Sequence, residues 1–160
     1  SIGHRNPQGI SFRSDGLIIE VEHGTDVNDE INVIEPGANY GYPCVTGASD
    51  VGPISDACES DAVLSPPAWA SGGTTLATSG AVFVPGALWG SWDGDLMVTT
   101  LKEEDLRRFS VAGDGTVTMQ EVLLDGRFGR LRAAVIGPDG ALYISTANGT
   151  GDRIVRVTPG

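Results

Sequence analysis

The sequence predicts an all-β fold: a β-propeller of four-stranded antiparallel blades, with about three blades present. Three observations carry this. First, an Asp-Gly turn feeds a Leu-containing strand three times, at Asp15-Gly16-Leu17, Asp93-Gly94-Asp95-Leu96 and Asp139-Gly140-Ala141-Leu142. Second, the last two turns lie 46 residues apart and the first two 78 apart, one such period plus an insertion. A repeat in the mid-forties with about four strands per unit marks a propeller blade. Third, 23 Gly and 9 Pro make up a fifth of the 160 residues, which suits short strands joined by tight turns. A β-sandwich, the competing architecture, does not call for a recurring Asp-Gly-x-Leu at blade spacing. Helical patterning is nearly absent; only 102–108 has helix-like composition.

The elements follow in order. Residues 9–13 and 17–21 read as strands around the Ser14-Asp15-Gly16 turn, and 30–34 alternates as a third strand before Pro36-Gly37. Residues 43–78, rich in Gly, Ser, Asp and Pro with little periodicity, read as a long loop insertion between blades. Strands resume at 81–84, at the β-prone Leu-Met-Val-Thr-Thr-Leu run of 96–101, at 106–111 and, past Gly113-Asp114-Gly115, at 116–124. The last unit gives 133–136, 142–146 and 154–157. Propellers typically carry about 4–8 blades, so three do not close. Residues 1–160 are therefore expected to be about half of a propeller. The remainder would come from a missing N-terminal part, a second chain or a symmetric partner, which makes a homodimer one expectation. The start at Ser1 rather than Met fits a fragment or a processed product.

Charge excludes some partners. A formal charge of −11 repels phosphates, so neither nucleic acid nor an anionic membrane surface is expected. No run approaches the roughly 18 apolar residues of a membrane span. Against this background Arg127, Arg130 and Arg132 form a basic island, suited to an anionic ligand or simply solvated. The two cysteines, Cys44 and Cys58, flank a polar loop. A disulfide between them would stabilise by about 3 kcal/mol on a chain-entropy argument. It would also place the protein in an oxidising compartment, periplasmic or secreted; two free thiols are the alternative. Asn148-Gly149-Thr150 is a formal glycosylation sequon, a pattern that arises often by chance.

Specific motifs resemble a known family. Gly3-His4-Arg5-Asn6-Pro7-Gln8-Gly9, Glu22-His23-Gly24, Asp29-Glu30-Ile31-Asn32 and Asn39-Tyr40-Gly41-Tyr42-Pro43 together are similar to the soluble glucose/sorbosone dehydrogenases. So are Gly94-Asp95-Leu96, Leu101-Lys102 and the stretch from Gly129-Arg130-Leu131-Arg132 to Tyr143. The resemblance implies the C-terminal half of a six-bladed propeller that uses pyrroloquinoline quinone (PQQ) to oxidise an aldose-type sugar by hydride transfer.

The resemblance also implies roles. Arg5 and Asn6 match the pair that lies against quinone and substrate. Lys102, Arg130 and Arg132 match the cations that hold PQQ carboxylates. A tricarboxylate does need local cations in an acidic protein, and Arg offers a two-pronged donor. Strand periodicity sends the Arg130 and Arg132 side chains to one face. For calcium, Glu30 would offer its carboxylate and Tyr40 its carbonyl to a structural ion, while Gly24 and Thr25 would offer carbonyls to the ion that touches PQQ. Residues 26–37 are not an EF-hand, since Ile31 and Gly37 stand where Gly and Glu are required. Thr25 replaces the family's usual proline, and Ala133 replaces a usual Asp after the Arg-x-Arg. The family's base histidine comes from an earlier blade; His4 and His23 do not match it and read as positional or structural. The implied function is thus the C-terminal portion of a PQQ-dependent sugar dehydrogenase, itself lacking the base. A non-catalytic propeller that binds a sugar or a protein is the alternative.

Overall fold

The computed structural model describes residues 1–47 and 64–159. Strands β1 (Pro7–Phe12), β2 (Ile18–Glu22), β3 (Glu30–Val33) and β4 (Trp69–Ala70) form one antiparallel sheet in sequential order. Strands β5 (Thr78–Phe83), β6 (Leu96–Thr100), β7 (Leu106–Val111) and β8 (Val117–Leu123) form a second, again in order. Strands β9 (Leu131–Ile136), β10 (Leu142–Thr146) and β11 (Ile154–Val157) form a third, three-stranded sheet. These are three consecutive propeller blades with β1, β5 and β9 as their innermost strands. The expected strands are found within three residues at each end, the largest difference being β5, which starts at Thr78 rather than 81.

The Asp-Gly repeat has a single structural meaning: each turn delivers the chain into the second strand of its blade. Gly16, Gly94 and Gly140 all have positive φ (95°, 83° and 76°), which glycine adopts without steric cost. In two of the three turns the Asp side chain accepts the N–H two residues on, from Leu17 to Asp15 Oδ1 and from Ala141 to Asp139 Oδ1, both at 3.2 Å.

Packing between blades explains the apolar runs. Ile19, Val21 and Ile31 of the first blade meet Ala81, Phe83, Leu96, Val98 and Phe109 of the second. Val84, Met97 and Leu106 on the other face of the second blade meet Leu131, Leu142 and Ile144 of the third. Hence β6 is buried at every position: Leu96 and Val98 face one neighbour while Met97 faces the other. A strand covered on both faces loses its polar alternation. The innermost strands approach closely where side chains are missing. A Cβ on Gly9 would lie 2.5 Å from Ser79 O, and one on Gly80 would lie 2.6 Å from Ala134 N. Side chains also bridge neighbouring blades, with Phe83 N–H of β5 donating to Ser11 Oγ of β1 (3.0 Å) and Thr99 Oγ1–H of β6 donating to Arg132 O of β9 (2.8 Å).

Three features lay outside the sequence expectation. Strand β4 is only two residues long, falls within the 43–78 range and pairs with Glu30 and Ile31; two residues carry no periodicity. A short 3-10 helix, Ala87–Trp92, spans the β5–β6 connection and buries Trp89. The helix-like composition of 102–108 yields instead to β7, whose Leu106 and Phe109 fill the core. Cys44 is disulfide-bonded; Cys58, the other cysteine, lies outside the described residues.

Candidate functional site

Antiparallel connectivity sorts the loops to two ends. The segments leading into β1, β5 and β9, and the β2–β3, β6–β7 and β10–β11 loops, share one end, here the upper end. The three Asp-Gly turns share the other. Arg5 and Asn6 precede β1, Gly24 and Thr25 lie in the β2–β3 loop, Lys102 in the β6–β7 loop, and Arg130 and Arg132 at the start of β9. All therefore belong to the upper end, on three blades. The register irregularities of β1 and β5 sit there too, between Pro7 and Gly9 and between Thr78 and Ala81, where bulges commonly re-aim side chains.

On the first blade, the Arg5 guanidinium donates through Nη1 to His23 O (3.2 Å) and to Gly24 O. Asn6 meets the same turn, its Nδ2 lying 3.4 Å from His23 Nδ1, and His23 Nε2 is 2.6 Å from Thr78 O. Asp29 organises the turn from within. Wholly buried, it accepts Gly24 N–H on Oδ1 (3.0 Å) and the N–H groups of Leu76 (2.5 Å) and Ala77 (2.8 Å) on Oδ2. The 76–77 segment in turn takes the backbone N–H of Leu101 and Lys102 on its carbonyls. One buried carboxylate thus ties the Gly24 turn to the Lys102 loop.

On the third blade, Arg130 and Arg132 are exposed on either side of the buried Leu131, but Arg130 lies in the bend before β9 and the ladder to β10 shifts register between Ile144 and Thr146, so the strand alternation expected to set both on one face does not extend over the pair. Asn148 fixes the approach to β9: its Oδ1 accepts Arg130 N–H at 2.8 Å and its Nδ2 donates to Phe128 O at 2.9 Å. The side chain of the formal sequon is therefore a structural clamp.

The cations divide sharply. Of the ten Lys and Arg residues, Arg13, Arg107, Arg108 and Arg156 each pair with a carboxylate. Arg5, Lys102, Arg127, Arg130, Arg132 and Arg153 have no carboxylate partner among the described residues, and all six sit at the upper end. In a chain of charge −11, that concentration of uncommitted cations fits a polyanionic ligand such as PQQ.

Beneath Arg5 lies a buried acidic layer that the sequence reading resolved only in part. Glu30 Oε1 accepts Gly47 N–H (2.5 Å), and the Asn32 amide donates to Glu20 Oε2 (3.1 Å), Glu22 Oε1 (3.1 Å) and Glu30 Oε2 (3.4 Å). Glu22, Glu30 and Tyr40 line a small cavity beside Arg5, a donor set that suits a hard cation. Burial, with the charges of Glu22 and Glu30, pushes the Glu20 carboxyl up to about 8 and is only partly offset by the Asn32 hydrogen bond. Glu30 is likewise raised, chiefly by burial. The missed signal was Glu20-Val21-Glu22: in a strand both carboxylates share one face, with Asn32 directly across from Glu20.

Three consecutive antiparallel blades, with cations lacking carboxylate partners among the described residues gathered at one end, make this chain part of a β-propeller. The Glucose / Sorbosone dehydrogenase family model matches residues 1–156, and the chain belongs to that family. It is 33% identical to the aldose sugar dehydrogenase YliI of Escherichia coli K12 over 99% of its own length and 43% of that protein. A glucose dehydrogenase crystal structure superposes with a TM-score of 0.83 at 32% identity, over 99% of this chain and 46% of that one. The PQQ-bound aldose sugar dehydrogenase of Streptomyces coelicolor superposes with a TM-score of 0.72 at 27% identity, over 96% and 43%. The chain thus spans less than half the length of each. No helix among the described residues is long and apolar enough to cross a membrane.

Proposed function

We propose that residues 1–160 are the C-terminal half of a PQQ-dependent aldose sugar dehydrogenase of the periplasm or secreted space, with the long connection expected over 43–78 carrying β4, the outer strand of the first blade, rather than lying wholly between blades. The observation that carries the reading is the gathering at the upper end of six cations without carboxylate partners among the described residues. Lys102, Arg130 and Arg132 would grip quinone carboxylates from the second and third blades. Arg5 and Asn6 would face quinone and sugar from the first, with the Arg5 guanidinium polarising the reacting oxygens. When bound, PQQ supplies the acceptor for the hydride leaving the sugar carbon. Gly24 and Thr25 would present carbonyls to one calcium, and Glu30 with the Tyr40 carbonyl would hold a structural one. The hydroxyl proton requires a base. His4 meets Glu22 of the first blade and His23 meets Thr78 O of the second, and this reading assigns the base to a blade outside residues 1–160.

A second reading, a propeller that binds a sugar or protein without redox chemistry, draws on two local features. Arg5 already occupies the Gly24 carbonyl, and Ala133 offers no carboxylate behind Arg132. Reconstitution separates the two. The whole protein carrying this chain, supplied with PQQ and CaCl2, is expected to reduce an artificial dye in the presence of an aldose. Sugar binding without PQQ binding or turnover would establish the second reading instead.

A further inference from the structure

The acidic layer holds one arrangement that the proposed calcium positions leave unused. His4 Nδ1 lies 3.4 Å from Glu22 Oε1 and 3.7 Å from Glu20 Oε2, and the three donor atoms fall within 4.8 Å of one another. We propose that His4, Glu20 and Glu22 form a separate cation site, distinct from Glu30 and Tyr40, that takes a first-row divalent metal such as Zn2+ through one imidazole nitrogen and two carboxylates.

Four features support it. The spacing suits the ion: ligands about 2.0–2.1 Å from a tetrahedral centre stand roughly 3.4 Å apart, close to the distances between His4 and the two carboxylates. The Glu22 carboxylate is aimed: its Oε2 is taken by the N–H groups of Arg5 (2.6 Å) and Asn6 (2.9 Å), and its Oε1, which also accepts from Asn32 Nδ2 (3.1 Å), is the oxygen turned toward His4. Glu20 is 5% exposed; its Oε2, the oxygen 3.7 Å from His4, accepts from Asn32 Nδ2, and its Oε1 has no hydrogen-bond partner among the described residues, so the carboxylate has a buried oxygen whose lack of a partner is costly unless a cation satisfies it. Finally, the imidazole is held on both sides. Its Nε2 is 3.0 Å from Ser1 Oγ, and its ring stacks on Tyr40 at 4.6 Å, the kind of outer support that orients a ligating histidine.

Charge and donor type then choose the metal. No Lys or Arg pairs with Glu20 or Glu22 among the described residues; His4 is their only basic neighbour within ion-pair range. Two buried carboxylates without a cation are unfavourable, and one divalent ion balances both. Calcium takes oxygen donors, whereas an imidazole nitrogen beside two carboxylates favours zinc or its first-row neighbours. The site makes no use of PQQ, so its failure would leave the proposed function standing.

The test uses the whole protein stripped with a chelator, held in excess CaCl2 and titrated with ZnCl2 by calorimetry. One equivalent of Zn2+ is expected to bind despite the calcium. His4→Asn and Glu20→Gln should each weaken this at least tenfold, and Asp114→Asn, which removes a carboxylate from the exposed β7–β8 turn at the opposite end, should leave it intact. Zinc X-ray absorption on the unaltered protein should show one imidazole in the coordination shell, a readout that survives if the variants misfold. Three results overturn the proposal: stoichiometric displacement of zinc by calcium, zinc binding indifferent to both His4→Asn and Glu20→Gln, or a shell without imidazole.

Discussion

At the scale of single residues, Asp29 has the clearest consequence. Its carboxylate accepts three backbone N–H groups from two separate segments, Gly24 on one side and Leu76 and Ala77 on the other. Asp29→Asn keeps the shape but turns an amide N–H2 toward backbone donors, leaving at least one buried N–H unsatisfied. Each charge-assisted bond is worth about 1.5–3 kcal/mol, so a loss of about 3 kcal/mol is expected in denaturant unfolding at unchanged slope. An unchanged midpoint would mean that the clamp is not formed in solution. The sequence displayed Asp29 only as one of a run of acidic residues. Its role depends on Leu76 and Ala77, nearly fifty positions away, and no local pattern encodes that meeting. Arg130 and Arg132 were legible as a pair of cations close in sequence, whereas the bend at Arg130 and the register shift where β9 meets β10 depend on Asn148 and Ser145 of the neighbouring segment and were not.

At the scale of elements, the blades pack through their innermost strands, and glycine sets the spacing. A Cβ on Gly80 would approach both Ala134 N (2.6 Å) and Arg132 O (2.8 Å). These are backbone atoms of β9 and cannot swing aside, so β5 and β9 must separate. Gly80→Ala is expected to cost about 2 kcal/mol or more, in the range of overpacked cores, and to lower the thermal midpoint. Because Thr99 Oγ1–H donates to Arg132 O across the same seam, the shift should also displace Arg132. Weaker PQQ binding is the expected second readout, and Gly73→Ala, where a Cβ meets open space, should change neither. The blade repeat could be read from sequence because each Asp-Gly turn performs the same task in each blade. Strand β4 could not: its two residues are strand only because β3 offers an edge to Glu30↔Ala70 and Ile31↔Trp69, and an edge is a tertiary fact.

At the scale of the whole molecule, an acidic protein has six cations without a carboxylate partner among the described residues, collected at the end where three blades open. Cations without a carboxylate partner keep their full field for a ligand, and that field is long-ranged only while salt is low; the Debye length is about 10 Å at 0.1 M. Binding of PQQ by the whole protein should therefore weaken steadily as KCl is raised. Arg130→Gln and Arg132→Gln should each cost about tenfold or more, since a charge-assisted hydrogen bond exceeds the roughly 1.4 kcal/mol of a tenfold change. Arg156→Gln is the internal control. It removes the same unit charge from an exposed arginine that pairs with Asp139 beside the third Asp-Gly turn, at the opposite end. If net charge alone governed binding, all three variants would weaken it alike. If the end of the arc matters, Arg156→Gln should bind as the unaltered protein does, with the same salt slope, while the Arg130 and Arg132 variants show a shallower one.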